Sequence, residues 1–287
     1  MSELSLQAQD PKNAAPHEVV IEPTRGIARL QIRAIWQYRE LLGFLIWRDI
    51  KVRYKQTLLG VGWVLLQPIL ATLIFTVVFG RLAGMPSDGV PYPLFAFSGL
   101  LAWNYFAGAL TRSGTSLIQN TNLITKVYFP RLIIPISGVL VGLVDFAISF
   151  VTLIVLLLIY STPLTWKILL VPIFLLIGIL AAFGASLWLS ALSVRYRDVN
   201  HLLPFLVQVW MYATPVVYPA SIFPAQWQPL LGLNPMAGVV EGFRWALVGS
   251  ANFPGSLLLI SIGVVLGLVV SGLAFFSATE RTFADVI

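Results

Sequence analysis

The sequence predicts an all-α integral membrane protein, and three observations carry that prediction. Hydrophobic residues make up 58% of the 287 positions and charged residues only 10%, against roughly 25% charged in a soluble domain. The charges are also confined. Intervals 56–80, 89–111, 168–194 and 255–279 hold none, Asp145 is alone between Arg131 and Lys167, and only His201 lies between Asp198 and Glu241. The stretch MYATPVVYPASIFPAQWQPLLGLNP, Met211 to Pro235, carries five prolines and no charge. It is too apolar for a solvated loop and too proline-rich for an ordinary helix. A hydrocarbon core of about 30 Å takes about 20 apolar helical residues, so each charge-poor interval can hold a span.

Taken in order, residues 1–24 are polar, carry Pro11, Pro16 and Pro23, and read as a flexible tail. No basic start followed by an apolar run and a small-residue cleavage site is present, so they do not read as a signal peptide. Residues 25–58 interleave Arg25, Arg29, Arg33, Arg39, Arg48, Lys51, Arg53 and Lys55 with Trp36, Tyr38, Leu41, Phe44, Leu45 and Trp47. That pattern suits an amphipathic helix in the membrane interface, apolar side toward acyl chains and cations toward lipid phosphates. The net charge of +6 follows the membrane edges, which argues against nucleic acid as a partner.

Six spans are expected, at about 60–81, 93–116, 132–160, 167–194, 201–218 and 255–277, within a transmembrane domain 59–287. With both termini cytoplasmic, all of the 18 Lys and Arg except Arg81, Lys167 and Arg244 fall on the cytoplasmic side, as the positive-inside rule asks. The proline-rich stretch then lies outside, between spans five and six. Prolines remove backbone donors and end helices. Two short helices dipping into the outer leaflet fit, the second from about Pro235 to Val248, and an amphipathic loop lying on the headgroups fits as well. Gln67-Pro68 is expected to kink span one. Glu241 and Arg244, three apart on one helical face, are expected to pair. Asp145, mid-span, costs about 2.5–3.5 kcal/mol on insertion scales and faces a partner helix or a wet cavity.

Motif chemistry narrows the function. No GxxxxGK[ST] phosphate loop occurs, so this chain is not itself an ATPase. It has two histidines and no cysteine, which leaves no metal spacing, and no Ser/His/acid set for catalysis. No cofactor is expected in this chain.

Five blocks carry a family resemblance: RDIKVRYKQTLLGVGWVLLQPIL (Arg48–Leu70), VYFPRLIIPIS (Val127–Ser137), SVRYRDVNHLLPF (Ser193–Phe205), MYATPVVYP and GLNPMAGVVEGFRWAL (Gly232–Leu247). From about Trp36 to Phe276 the chain resembles the membrane subunit of bacterial ABC-2 type polysaccharide exporters, the permeases for O-antigen, capsule or teichoic acid chains. The resemblance implies a homodimer in the bacterial cytoplasmic (inner) membrane, bound to two cytoplasmic ATPase subunits that hold ATP and Mg. The implied cargo is a polysaccharide on a polyprenyl pyrophosphate carrier.

Three groups of residues would then carry function. Lys126, Tyr128, Phe129, Pro130 and Arg131 lie where the resemblance places the loop that couples to the ATPase, and Arg195, Arg197 and Asp198 lie in the second interior loop. Both also read as plain basic connections, with a local ion pair in the second. Trp63, Phe75, Phe79, Trp103, Tyr105, Phe106, Trp210, Tyr212 and Tyr218 would line a path on which sugar rings stack, although Trp and Tyr gather at membrane interfaces in any case. Arg48, Lys51, Arg53 and Lys55 would admit the lipid pyrophosphate or simply anchor to headgroups. A drug or glycolipid as cargo stays open. An ion-coupled transporter would want several intramembrane carboxylates, where only Asp145 qualifies. A glycosyltransferase would want paired carboxylates, and Asp198 stands alone.

Overall fold

Every element of the computed structural model is helical. It describes residues 34–55, 61–249, 253–280 and 283. The expected tail 1–24, and the cations Arg25, Arg29 and Arg33, lie outside them.

The elements are α1 (Arg39–Lys55), α2 (Val61–Phe75) continuing as a π-helical stretch Thr76–Leu82, α3 (Tyr92–Gln119), α4 (Thr121–Lys126), α5 (Ile133–Ile159), α6 (Val171–Arg195), α7 (Val199–Ala213), α8 (Gln228–Leu231), α9 (Pro235–Leu247) and α10 (Gly255–Thr279). Five helices are long and apolar enough to cross a bilayer: Gly62–Leu82, Tyr92–Gln119, Ile133–Ile159, Trp166–Arg195 and Gly255–Thr279. The expected span at 201–218 differs. Its helix α7 has 15 residues, about 22 Å at 1.5 Å per residue, and stops at Thr214, whose ψ of 140° is extended. The cause is Pro215, whose ring disfavours helical geometry in the residue before it.

The bundle is built around α3, which packs on α2, α5, α6, α7 and α9. Its apolar window is 78% buried, whereas that of α2 is 11% buried. Small residues let the central helices close up, as membrane helices require where water gives no hydrophobic push between them. A Cβ on Gly138 would meet the Ser113 Cα at 2.8 Å, so α5 rides directly on α3. Ser113 Oγ donates to the Pro135 carbonyl at 2.9 Å and lies 2.8 Å from Ser186 Oγ, and Ser193 Oγ lies 3.0 Å from the Gly114 carbonyl. On the other side of α6, Gly184 and Gly272 bring it against α10, the Gly184 carbonyl lying 2.6 Å from where a Gly272 Cβ would stand.

The two ends differ in chemistry. The basic end carries α1, α4, and the Arg195–Asp198 turn; there Leu45 of α1 is buried among Leu117, Ile124, Phe129 and Ile133. The α1 helix therefore packs onto α5 while leaving Phe44, Trp47 and Val52 exposed. The opposite, proline-rich end carries α8 and α9.

Candidate functional site

Between α1, α2, α3 and α5 lies a cavity of about 550 Å³. Asp145 is its electrostatic centre. Its Oδ2 lies 2.7 Å from Arg53 Nη1 and 3.5 Å from Arg112 Nη1, and its Oδ1 accepts from the Tyr54 hydroxyl at 2.5 Å. Two guanidiniums share one carboxylate, so the cluster keeps one uncompensated positive charge. Burial, and then the hydrogen bond to Asp145, push the Tyr54 phenol above the ordinary tyrosine range, which keeps it a donor at neutral pH. The wall combines Trp63, Tyr105 and Phe146 with Gln67, Asn104 and Ser149.

The sequence separates Tyr54 from Asp145 by 91 positions, and the fold converges these groups for identifiable reasons. The last turn of α1 reaches α5 because Leu45 seats α1 against the bundle. Arg112 turns toward α5 across Gly142, where a Cβ would strike its guanidinium, and it donates to the Gly138 carbonyl at 3.4 Å. Asp145 thus meets partner helices and a cavity together. The sequence points to neither Tyr54 nor Arg112. Arg112 counts there among the cytoplasmic-side cations, about one turn from the end of the expected span 93–116, where an arginine can snorkel to the interface; only the fold shows it turned inward to Asp145.

The four interface cations are placed unequally. Arg48 bonds Asp49 at 2.8 Å and the Asn120 Oδ1 at 2.9 Å, tying α1 to the start of α4. Arg53 joins the Asp145 cluster, and Lys51 and Lys55 are exposed.

At the basic end, Lys126 and Tyr128 are exposed, Tyr128 to 76%, while Phe129 is buried. Arg131 donates its backbone N–H to Glu280 Oε1 at 3.3 Å and its guanidinium to the Glu280 carbonyl, and lies 5.9 Å from the Phe283 ring. Pro130 is half-buried. Burial pushes the Glu280 carboxyl up while Arg131 opposes that shift. Arg195, Arg197 and Asp198 are all exposed. The local ion pair read from sequence does not form: among the described residues no salt bridge joins Asp198 to either arginine; Arg195 instead lies 5.6 Å over Tyr196.

The aromatics divide in two. Trp63 and Tyr212 are exposed, and Tyr105, though buried, lines the cavity. Trp103 and Phe106 are packed in the core, Phe106 edge-on to Trp210 at 5.1 Å. Phe75 and Phe79 are half-buried and pack on Tyr92 and Phe95. Trp210 donates to Asn234 at 3.1 Å and Tyr218 to the Tyr212 carbonyl at 3.0 Å.

The proline-rich end is organised by one buried cation. Arg244 is fully buried and pairs with Glu241 at 2.9 Å, as the spacing suggests. It also donates to the carbonyls of Pro215, at 2.5 Å, and Val216, and lies 3.6 Å over the Phe95 ring. Glu241 in turn accepts from the Ala220 amide at 3.1 Å. The prolines leave carbonyls without helical donors, and Arg244 supplies them. Asn234 caps α9 by accepting from the Met236 amide at 3.1 Å, and donates to Thr214 at 2.8 Å, fastening the end of α7.

Comparison with known proteins places this architecture. Residues 40–248 match the model of the ABC-2 type transporter family. The chain is 30% identical over 260 residues to the O-antigen export system permease protein RfbA of Myxococcus xanthus, covering 89% of this chain and 98% of that protein. It is 29% identical over 251 residues to the protein of the same name from Klebsiella pneumoniae, covering 86% and 95%. It is 23% identical over 252 residues to the polysialic acid transport protein KpsM of Escherichia coli, covering 83% and 92%.

Proposed function

The chain belongs to the ABC-2 type transporter family, and from that premise we propose that it is the transmembrane half of an ATP-driven exporter carrying a polyprenyl-pyrophosphate-linked, O-antigen-like polysaccharide out of the cytoplasm. The observation that carries this reading is the near-full-length match to O-antigen export permeases. The coarser conclusion, a multi-pass permease of the inner membrane, follows from the family and from five apolar helices of spanning length. With no phosphate loop in this chain, ATP hydrolysis in this reading belongs to a separate subunit.

In this reading two copies face each other and two ATPase subunits bind the basic end, with both termini cytoplasmic. The exposed Lys126 and Tyr128 on one loop and the exposed Arg195–Asp198 turn on the other support ATPase contact there. Phe129 and Arg131 transmit the motion: one is packed under α3 and α5, the other is clasped to the end of α10. The weakly packed α2 and α7 supply the walls of the path, with Trp63 and Tyr212 offering ring faces on which sugars stack and slide. A drug or glycolipid is the second cargo class.

The test is reconstitution with the cognate ATPase in vesicles loaded with an undecaprenyl-pyrophosphate glycan. ATP-dependent delivery of glycan to the far side, with no hydrolysis by this chain alone, is the expected result. Glycan that stays put while a drug or glycolipid moves would favour the second cargo class.

A further inference from the structure

We propose that the Asp145 cluster is an exchangeable anion site: the carboxylate occupies the place of a phosphate group, and an arriving phosphate takes over Arg53 and Arg112 and frees the end of α1 from α5. The proposal deepens the reading of the chain as an exporter of a phosphate-bearing lipid, and rests on it only for where the phosphate comes from.

The arrangement is that of an occupied anion site with a weak occupant. One carboxylate with one charge serves two guanidiniums, and its hold on Arg112, at 3.5 Å, is looser than its hold on Arg53, at 2.7 Å. A phosphate or pyrophosphate brings more oxygens and more charge, and guanidiniums grip such groups with paired donors. Room for it is present, since the cavity of about 550 Å³ opens directly beside Asp145. Spare polar groups wait there: the side chains of Gln67, Asn104 and Ser149 make no hydrogen bond among the described residues. The apolar remainder of the wall, Trp63, Tyr105 and Phe146, suits the first carbons of an attached chain. Arg53 and Tyr54 are also the polar ties between the last turn of α1 and α5. Exchange of the anion is therefore exchange of the tie.

The experiment uses the full chain in phosphatidylcholine nanodiscs, with undecaprenyl pyrophosphate, phosphatidylglycerol and inorganic pyrophosphate as separate probes. Asp145→Asn removes the resident charge and keeps an acceptor, so phosphate should bind about tenfold more tightly, the scale expected of one removed competing charge. Adding Arg112→Gln to that variant should abolish the gain. A loss or no change in affinity for Asp145→Asn would overturn the site. Should that variant fail to fold, spin labels on Val52→Cys and Val151→Cys, both exposed positions in a chain without other cysteines, read the α1–α5 separation with Asp145 intact. It should lengthen on adding the phosphate probe, and a constant distance sinks the proposal. Response to the lipids alone identifies a headgroup, and equal response to inorganic pyrophosphate identifies free phosphate. Glycan export that proceeds with no phosphate bound here would remove the site and leave the exporter reading intact; phosphate binding in a chain that exports no glycan would do the reverse.

Discussion

Arg244 shows how a single side chain can stand in for a missing secondary structure. It is wholly buried, paired to Glu241, and stacked on Phe95, and its donors are spent on carbonyls that prolines leave without partners. Removing one partner of a buried pair is costly because the other charge is stranded. Arg244→Ala should therefore lower stability by about 3–5 kcal/mol, and Glu241→Gln, which still offers an acceptor to Ala220, by about 1–3 kcal/mol. Thermal unfolding in detergent separates them, and an Arg244→Ala protein that melts with wild type would deny the residue its role. Tyr54 illustrates the same point about protonation. Its folded pKa is raised, so its contribution is complete below the ordinary tyrosine value near 10 and is lost only as pH climbs past that value through the folded one. The Tyr54 hydroxyl should therefore stay a donor to Asp145 up to about pH 9.

Among elements, the interior loop and the outer segment make separate predictions. Tyr128 is exposed and Phe129 is not, so the two residues at the loop's tip should fail differently. Tyr128→Ala should lower ATPase stimulation in the assembled exporter and leave the melting temperature unchanged. Phe129→Ala should cost about 3–5 kcal/mol of stability. Equal loss of stability in both would argue that the tip is merely packed. In the outer segment, cysteines at Ile222 and Trp227, both exposed, should react from outside the cell with a membrane-impermeant thiol reagent. Reaction only after permeabilisation would invert the orientation read from the charges.

These elements also show what the sequence makes legible. The start of α9 at Asn234-Pro235 is readable because a capping side chain followed by proline at the first helical position is a local signal. The pair Glu241–Arg244 is readable from another local signal, its spacing of three on one helical face. Span boundaries that depend on one rule overriding another are harder: the apolar run through 218 suggested a longer fifth span, but Pro215 governs and α7 ends at Ala213. The Asp145 cluster was half legible. An intramembrane aspartate announces a partner, yet naming Tyr54 and Arg112 requires knowing that α1 folds back onto α5 while Gly142 opens the way between α3 and α5. Likewise, periodicity cannot tell Trp103 in the core from Trp63 at the surface, since both lie in apolar helices.

For the whole molecule, the uneven burial of its helices sets the expectation. Only Leu203 of α7 is buried, and α2 is nearly bare, so a second copy would find its contact surface on these helices. With Val209→Cys, exposed on α7, in the otherwise cysteine-free chain, a bifunctional thiol reagent applied to intact membranes should yield a band of twice the chain mass. A single-chain band at every reagent length would place the partner elsewhere.

The bareness of α2 has a further consequence, for the cell rather than for transport. Gln67 lines the Asp145 cavity and is itself exposed midway along that helix, so where no second copy covers α2 its amide opens toward lipid, and an amide without a partner there is costly. A copy that has not met a second one would display that amide, the kind of flaw that membrane proteases find. Unpaired copies would then be removed after synthesis by selective turnover. Pulse-chase labelling should show the chain decaying faster when it is made too sparsely to pair than when it is abundant, and Gln67→Leu should lengthen the life of the solitary copy.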